Sequence, residues 1–236
     1  AIPSTHDYHY DAFLAQAFPR GTAFPALLPA PALPELPLAP GVRAFSIDDA
    51  TTTEIDDAFS VTELPGGRFE IGIHIAAPAL AIAQGSPLDA VARERLSTVY
   101  MPGRKITMLP DEVIAAFTLA AGADRPAVSL YVDVAHDGTP LRQESRVERV
   151  PVVANLHLTA LSDAFANPLP APDDPPWTAE LRALWKLASH LAAVRGKPDI
   201  ARIDYSYEVD WTAGPEGRVA IVPRPRGSPL DKLVAE

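Results

Sequence analysis

Apolar and polar residues alternate along several short stretches of this chain, which is the period-two pattern of half-buried β-strands. The alternation predicts a strand over residues 43–47 and then three hairpins: 59–64 with 68–75, 127–134 with 141–150, and 202–211 with 218–222. Turn-forming residues separate the strands of each pair, as in Pro65-Gly66-Gly67 and His136-Asp137-Gly138. The pattern therefore indicates a largely antiparallel sheet.

Other stretches have the 3.6-residue period of a helix. Tyr10, Leu14 and Phe18 fall on one stripe and predict a short amphipathic helix over residues 6–18. Ser86 and Pro87 form a helix start, with the serine as N-cap, and this helix should run to about Thr98. Further helices are expected just after Asp111, over 155–165 and over 178–194. Together these elements predict an α+β fold whose mostly antiparallel sheet is flanked by helices.

Proline divides the chain unevenly. Of 26 prolines, many lie in the run from Pro25 to Pro40, where a regular helix or a central strand is excluded because proline lacks the backbone donor and fixes φ. We expect an extended strap held on the domain by its leucines, or else a linker. Residues 1–42 are thus predicted to be an N-terminal helix and a strap or linker, and residues 43–236 the N-terminal part of a larger domain. The last residues, 233–236, resemble a helix without a closing signal, so we expect the natural polypeptide to continue.

Composition narrows the class of protein. Apolar residues make up 47% of the chain, which supports a globular core, and no apolar run approaches the roughly 20 residues of a membrane span. The absence of cysteine fits a cytoplasmic protein, which is our expectation. The net charge is −10, so any grip on a polyanion must come from local cations. Indiscriminate binding to duplex DNA is not expected.

The densest chemistry lies between two predicted strands. Five carboxylates occur within ten positions: Asp48, Asp49, Glu54, Asp56 and Asp57. Core-type residues frame this run on both sides, whereas a solvated acidic face would not need such framing. Carboxylates held close together repel one another, and a divalent cation removes that repulsion. Oxygen ligands without cysteine favour Mg²⁺ or Mn²⁺ over zinc. A surface acidic loop is the competing interpretation, and the spacing excludes an EF-hand.

At these residues the chain resembles the RNB catalytic domain of ribonuclease II-type exoribonucleases. Asp48, Glu54 and the pair Asp56-Asp57 fall on the acidic motif of that family. Three later segments follow in the family's order: Gly72 to Pro78, Ser97 to Gly103, and Met108 to Pro110. Residues 228–236 resemble the start of a helix with a glutamate pair. Several ordered motifs are more specific than one acidic cluster.

The resemblance implies a function and site residues. It implies a Mg²⁺-dependent hydrolase, with Mn²⁺ as an alternative, that trims single-stranded RNA from its 3′ end to nucleoside 5′-monophosphates. The carboxylates of Asp48, Glu54, Asp56 and Asp57 are the catalytic and metal-binding candidates, although the family usually has aspartate at position 54. Tyr100 would stack on the terminal base of the RNA. Further RNA-binding domains are expected in the full-length chain, and the family's arginine and second glutamate lie beyond residue 236.

Two other functions stay open on the sequence. Glu54, together with Ala77 where the family often has aspartate, fits a catalytically silent module that binds RNA or a protein. A metal phosphoesterase acting on small nucleotides is the third interpretation. Among the histidines, His6 and His9 fit a solvent-facing helix side better than a metal site, and His74 fits a structural role on its apolar strand better than that of a general base.

Overall fold

The computed structural model describes residues 5–26, 34–49, 52–101, 103–157, 176–196, 202–214 and 217–226, together with Leu233. Its helices are α1 (Thr5–Ala17), α2 (Pro87–Arg95), α3 (Asp111–Phe117) and α4 (Thr178–Val194). Its strands are β1 (Ala44–Asp48), β2 (Asp57–Leu64), β3 (Arg68–Ala76), β4 (Val99–Met101), β5 (Arg104–Ile106), β6 (Ala123–Val134), β7 (Pro140–His157), β8 (Arg202–Asp210) and β9 (Arg218–Arg226). The chain divides into two compact units: residues 1–30, 82–111 and 202–225, and residues 31–81, 112–201 and 226–236.

A closed five-stranded barrel forms the second unit. The strand order is β1-β2-β3-β6-β7, and neighbouring strands run antiparallel except for β1 and β7, which close the barrel as a parallel pair. In that pair Asp48 lies opposite His157. Short turns join β2 to β3 and β6 to β7, so the sequence pattern predicts these two pairings, whereas the antiparallel pairing of β3 with β6 joins strands that are separated by residues 77–122. The parallel closure joins strands that are far apart in sequence, and the pattern does not predict it.

The two faces of the barrel strands differ in chemistry. One face carries large apolar side chains, which pack against α4. The strand residues are Phe45, Phe59, Ile71 and Val132, and the helix residues are Leu181, Leu184 and Leu187. The opposite face carries buried polar side chains together with a second apolar cluster that includes Ala58, Ala127, Val150 and Val152. There the imidazole of His74 is hydrogen-bonded to Ser129 Oγ (2.8 Å) and Ser60 Oγ (2.9 Å). Alternation along each strand produces the two faces.

Backbone contacts, more than leucine side chains, hold the described part of the proline-rich strap. Ala39 N donates to Arg149 O and Arg149 N donates to Pro37 O, both at 2.8 Å. Ala39 is buried, whereas Leu38 stays 47% exposed. Residues 34–42 are therefore an extended strap along β7, and the expectation that its leucines anchor it is wrong for Leu38. Residues 27–33 lie outside the described part of the chain.

In its described residues, the first unit contains two small sheets and the helices α1 and α2. The sheets are the hairpins β4-β5 and β8-β9. Helix α1 is tied to the first hairpin, because Arg104 forms an ion pair with Asp7 (2.8 Å) and lies 4.2 Å from the Tyr10 ring centroid. The Ser86 side chain caps α2 as predicted, accepting from Asp89 N. That helix ends at Arg95, three residues earlier than expected, and Leu96 follows with a φ of 65°.

Most predicted elements are present, although the sequence pattern does not predict the hairpin β4-β5 and one predicted helix is wrong. All three hairpins are present, and α4 has the predicted bounds, 178–194. The helix predicted over 155–165 is wrong at its start, because residues 155–157 complete β7, and residues 158–165 lie outside the described ranges. The α+β class and the mostly antiparallel sheet are confirmed. In the part of the chain that the structure describes, no helix is both long and apolar enough to cross a membrane.

Candidate active site

The predicted acids lie at the ends of β1 and β2 and on the connection between them. Asp48 is the last residue of β1 and Asp57 is the first residue of β2. Asp56 precedes it, and its carbonyl accepts a hydrogen bond from Ala76 N at 2.8 Å. Asp48, Glu54 and Asp57 are half-buried, and Asp56 is exposed. Phe45 of β1 pairs with Phe59 of β2, so the end of β1 and the start of β2, where the acidic run begins and ends, lie at the same edge of the barrel.

Besides burial, the negative charges of these carboxylates raise one another's pKa. Desolvation by burial, followed by the negative charges of Asp48 and Asp56, raises the pKa of Asp57. Desolvation, Glu54 and Asp48 raise the pKa of Asp56 in the same way. Such shifts mean that the charged carboxylates are destabilised where they sit. A nearby cation would reverse the effect.

The carboxylate of Asp48 gives a second indication that this site suits a cation. Its Oδ2 is buried and has no hydrogen-bond partner among the residues that the structure describes. Burial raises the pKa of Asp48, the Ser46 side chain and His157 lower it, and the charge of Asp49 raises it. A buried oxygen without a donor costs free energy, and a hard cation would satisfy it.

The described side chains do not form a ready three-ligand sphere. Over the residues that the structure describes, no group of three or more histidines and acids is placed so that it could hold a metal ion. The donor chemistry fits a hard divalent cation, because the oxygens are anionic, mutually repelling and include an unsatisfied one. The assignment of Asp48, Glu54, Asp56 and Asp57 as metal ligands and catalytic residues remains a prediction.

Tyr100 lies in the first unit, on β4, and its side chain is 68% exposed. It lines a cavity of about 540 Å³ within that unit. The other lining residues are His6, His9, Tyr10, Phe13, Val99, Met101 and Val219. The described lining residues supply aromatic, imidazole and aliphatic groups, and none of them is an arginine or lysine. The nearby Arg104 is paired with Asp7. Such a surface suits a flat uncharged group better than a phosphate.

His74 has the structural role that the sequence analysis expects, whereas the expectation of a solvent-facing side chain is wrong for His6, which is half-buried. His74 is fully buried between two serine hydroxyls, and burial lowers its pKa to about 4. It is therefore neutral at physiological pH and serves the packing of the barrel. His6 contacts the Trp211 ring edge-on at 4.9 Å between centroids. Tyr205 and Tyr207, which fit either a plain strand or a stacking surface, are exposed on β8.

Sequence reasoning missed three side chains near the acids: Thr118, Asn155 and His157. Thr118 Oγ1 accepts a hydrogen bond from Ile55 N at 2.9 Å. Asn155 Nδ2 donates to Ser46 Oγ at 2.9 Å, and His157 lies opposite Asp48 across the parallel pair. None of these residues lies near the acidic run in sequence. Assigning residues 155–157 to a strand would have indicated two of them, Asn155 and His157.

The chain matches the RNB domain family over residues 41–236. Among curated relatives, it is 42% identical over 95 residues to exoribonuclease 2 of Escherichia fergusonii, which covers 40% of this chain and 15% of that protein. It is 43% identical over 95 residues to a protein of Arabidopsis thaliana named inactive exonuclease DIS3L2, covering 40% of this chain and 9% of that protein. The chain thus spans less than a sixth of either relative.

The fold is also found in a solved structure. Mycoplasma genitalium RNase R, in complex with ribose-methylated single-stranded RNA, aligns with a TM-score of 0.75 over 96% of this chain and 37% of that one. The sequence identity is 15%, so this likeness shows the fold. The family match covers the barrel, the acidic run and the Tyr100 hairpin. This chain belongs to the RNB domain family.

Proposed function

We propose that this chain is part of the catalytic domain of a hydrolytic exoribonuclease, which uses Mg²⁺ to remove nucleotides from the 3′ end of single-stranded RNA. The observation that carries the proposal is the set of mutually repelling carboxylates, with a buried unsatisfied Asp48 oxygen among them. Membership of the RNB domain family supports it. The RNA bound to the structurally similar RNase R supports the class of substrate.

Asp48, Glu54, Asp56 and Asp57 would hold the metal. A bound divalent cation lowers the pKa of water and offsets charge on the phosphate. The chain's own contribution is to present anionic oxygens from two strand ends and to keep part of their surface out of water. Since no three of the described side chains are gathered in ligand geometry, binding would have to draw them closer.

Tyr100 and the cavity that it lines would receive a base of the RNA. An aromatic face stacks on any base, so such a site tolerates any sequence. Replacing Tyr100 by alanine should weaken binding of single-stranded RNA about tenfold, which corresponds to roughly 1.4 kcal/mol. The control is Tyr205→Ala, because Tyr205 is similarly exposed but does not line the cavity. Equal losses in both variants would argue against a specific role for Tyr100.

The main test follows product release by the full-length protein. Incubated with 5′-labelled single-stranded RNA and Mg²⁺, it should shorten the RNA from the 3′ end and release nucleoside 5′-monophosphates. Asp56→Asn should slow hydrolysis at least about a hundredfold, as for loss of one charge-stabilising group, with RNA binding largely retained. Glu63→Gln, an exposed acid farther along β2, is the matched control and should act normally. A normal rate in Asp56→Asn would refute the assignment.

A silent RNB module is the second candidate function. It is favoured by Glu54 in place of aspartate and by a relative named inactive that is as similar as the one named exoribonuclease 2. This module would bind single-stranded RNA without shortening it at any Mg²⁺ or Mn²⁺ concentration. If Glu54→Asp then restores hydrolysis, the glutamate alone explains the silence. Turnover of dinucleotides without turnover of long RNA would instead indicate a phosphoesterase for small substrates.

A further inference from the structure

The segment formed by residues 118–121 touches both halves of the acidic site. It follows α3 and precedes β6, far in sequence from the acids. On one side it bonds to the connection that carries Glu54 and Asp56. On the other side it is linked through Asn155 to β1, which ends at Asp48. All of these residues belong to the barrel unit.

The first link fixes Ile55. Its N–H donates to Thr118 Oγ1 (2.9 Å), and its carbonyl accepts from Leu119 N (2.9 Å). Its side chain is 8% exposed and packs in the same apolar cluster as Leu119. Both backbone groups and the side chain of this residue are therefore engaged. The backbone on which Glu54 and Asp56, the neighbours of Ile55, are placed is therefore held in position.

The second link fixes the end of β1. Asn155 Nδ2 donates to Ser46 Oγ (2.9 Å) and to Leu119 O (3.1 Å), while Asn155 Oδ1 accepts from Ala121 N (2.8 Å). Ser46 is fully buried. Residues two apart on a strand share a face, so Ser46 and Asp48 lie on the same side of β1. The amide of Asn155 thus connects the 118–121 segment to the strand face that carries Asp48.

Close carboxylates tend to move apart, so a shared site for them needs a mechanical restraint. We infer that Thr118 and Asn155 are positioning residues, which set the separation between Asp48 and the acids beside Ile55 and so determine how tightly a divalent cation is held. The inference rests on the proposed function for its consequence in RNA hydrolysis. Its consequence for cation affinity can be measured without RNA. Residues that orient metal ligands typically change metal affinity by about 10- to 100-fold when replaced.

The experiment compares two substitutions of Thr118 in the full-length protein. Thr118→Val keeps the shape and removes the acceptor for Ile55 N, whereas Thr118→Ser keeps the hydroxyl. Mn²⁺ binding is measured by calorimetry on RNA-free protein, and hydrolysis of single-stranded RNA gives kcat and KM. The valine variant should bind Mn²⁺ about tenfold more weakly and lose about tenfold in kcat, with KM within about twofold. The serine variant should stay within about twofold of wild type in all three quantities.

Tyr131→Phe serves as the control for general loosening of the barrel. It removes the buried hydrogen bond from Tyr131 on β6 to Glu148 on β7. This hydrogen bond does not involve Asp48, Glu54, Asp56 or Asp57. This variant should lose stability but keep its Mn²⁺ affinity. The inference is overturned if folded Thr118→Val binds Mn²⁺ like wild type, or if Tyr131→Phe weakens Mn²⁺ binding equally. Weaker Mn²⁺ binding in Thr118→Val, with no hydrolysis by wild type, would uphold the inference and refute the proposed exoribonuclease.

Discussion

The buried imidazole of His74 should make the barrel sensitive to acid. Two serine hydroxyls contact its ring nitrogens at 2.8 and 2.9 Å, and burial lowers its pKa from 6.5 to about 4. Between these two values the unfolded chain binds a proton that the folded chain does not. The contribution of His74 to the free energy of unfolding is therefore fully present above pH 6.5 and is lost as the pH falls toward 4. The full loss is about 3 kcal/mol, and about 2 kcal/mol is lost between pH 7.5 and 5.

The acids of the candidate site change the folding stability with pH in the opposite direction to His74. The pKa values of Asp48, Asp56 and Asp57 are raised in the folded chain, so protonation on acidification relieves their repulsion. Wild-type protein alone would show only the sum of both effects. His74→Gln separates them, because glutamine keeps a hydrogen-bonding side chain but does not titrate. The acids are the same in both proteins, so their contribution cancels in the difference.

Urea unfolding at pH 7.5, 6.5, 5.5 and 5.0 provides the measurement. Relative to His74→Gln, wild type should lose about 2 kcal/mol of unfolding free energy between pH 7.5 and 5.0. The imidazole resonances of His74 in NMR spectra should show no protonation near pH 6.5. Parallel stability curves for the two proteins, or a His74 titration at its ordinary pKa, would refute the reasoning.

Three further predictions concern packing and capping. Gly72→Ala should cost at least about 1–3 kcal/mol in urea unfolding, since the new Cβ would lie 2.4 Å from Ser60 Oγ; unchanged stability would contradict it. Tyr131→Phe should cost about 1–3 kcal/mol by the same assay, because buried Glu148 loses a donor at 2.6 Å, and a neutral result would mean that water replaces it. Ser86→Ala should cost about 1 kcal/mol and speed amide hydrogen exchange at the start of α2, and unaltered exchange there would exclude the cap.

Local pattern was enough to place most of the secondary structure. The α4 helix and the three hairpins depend on side-chain period and turn residues, which act over a few positions. The acidic run could be singled out for the same reason, because Asp48 to Asp57 are close in sequence and framed by strand residues. Ser86 as a cap is likewise local, since its partner is three residues away.

The tertiary structure decided how those pieces meet. Closure of the barrel joins β1 to β7, and it is this closure that places Asn155 beside Ser46 and His157 opposite Asp48. Burial of His74 depends on serines from two other strands. These contacts join residues far apart in the chain, and their free energy depends on desolvation and packing that no local sequence pattern encodes. The sequence thus determined which residues are acidic and where strands begin, and the fold determined which of them share an environment.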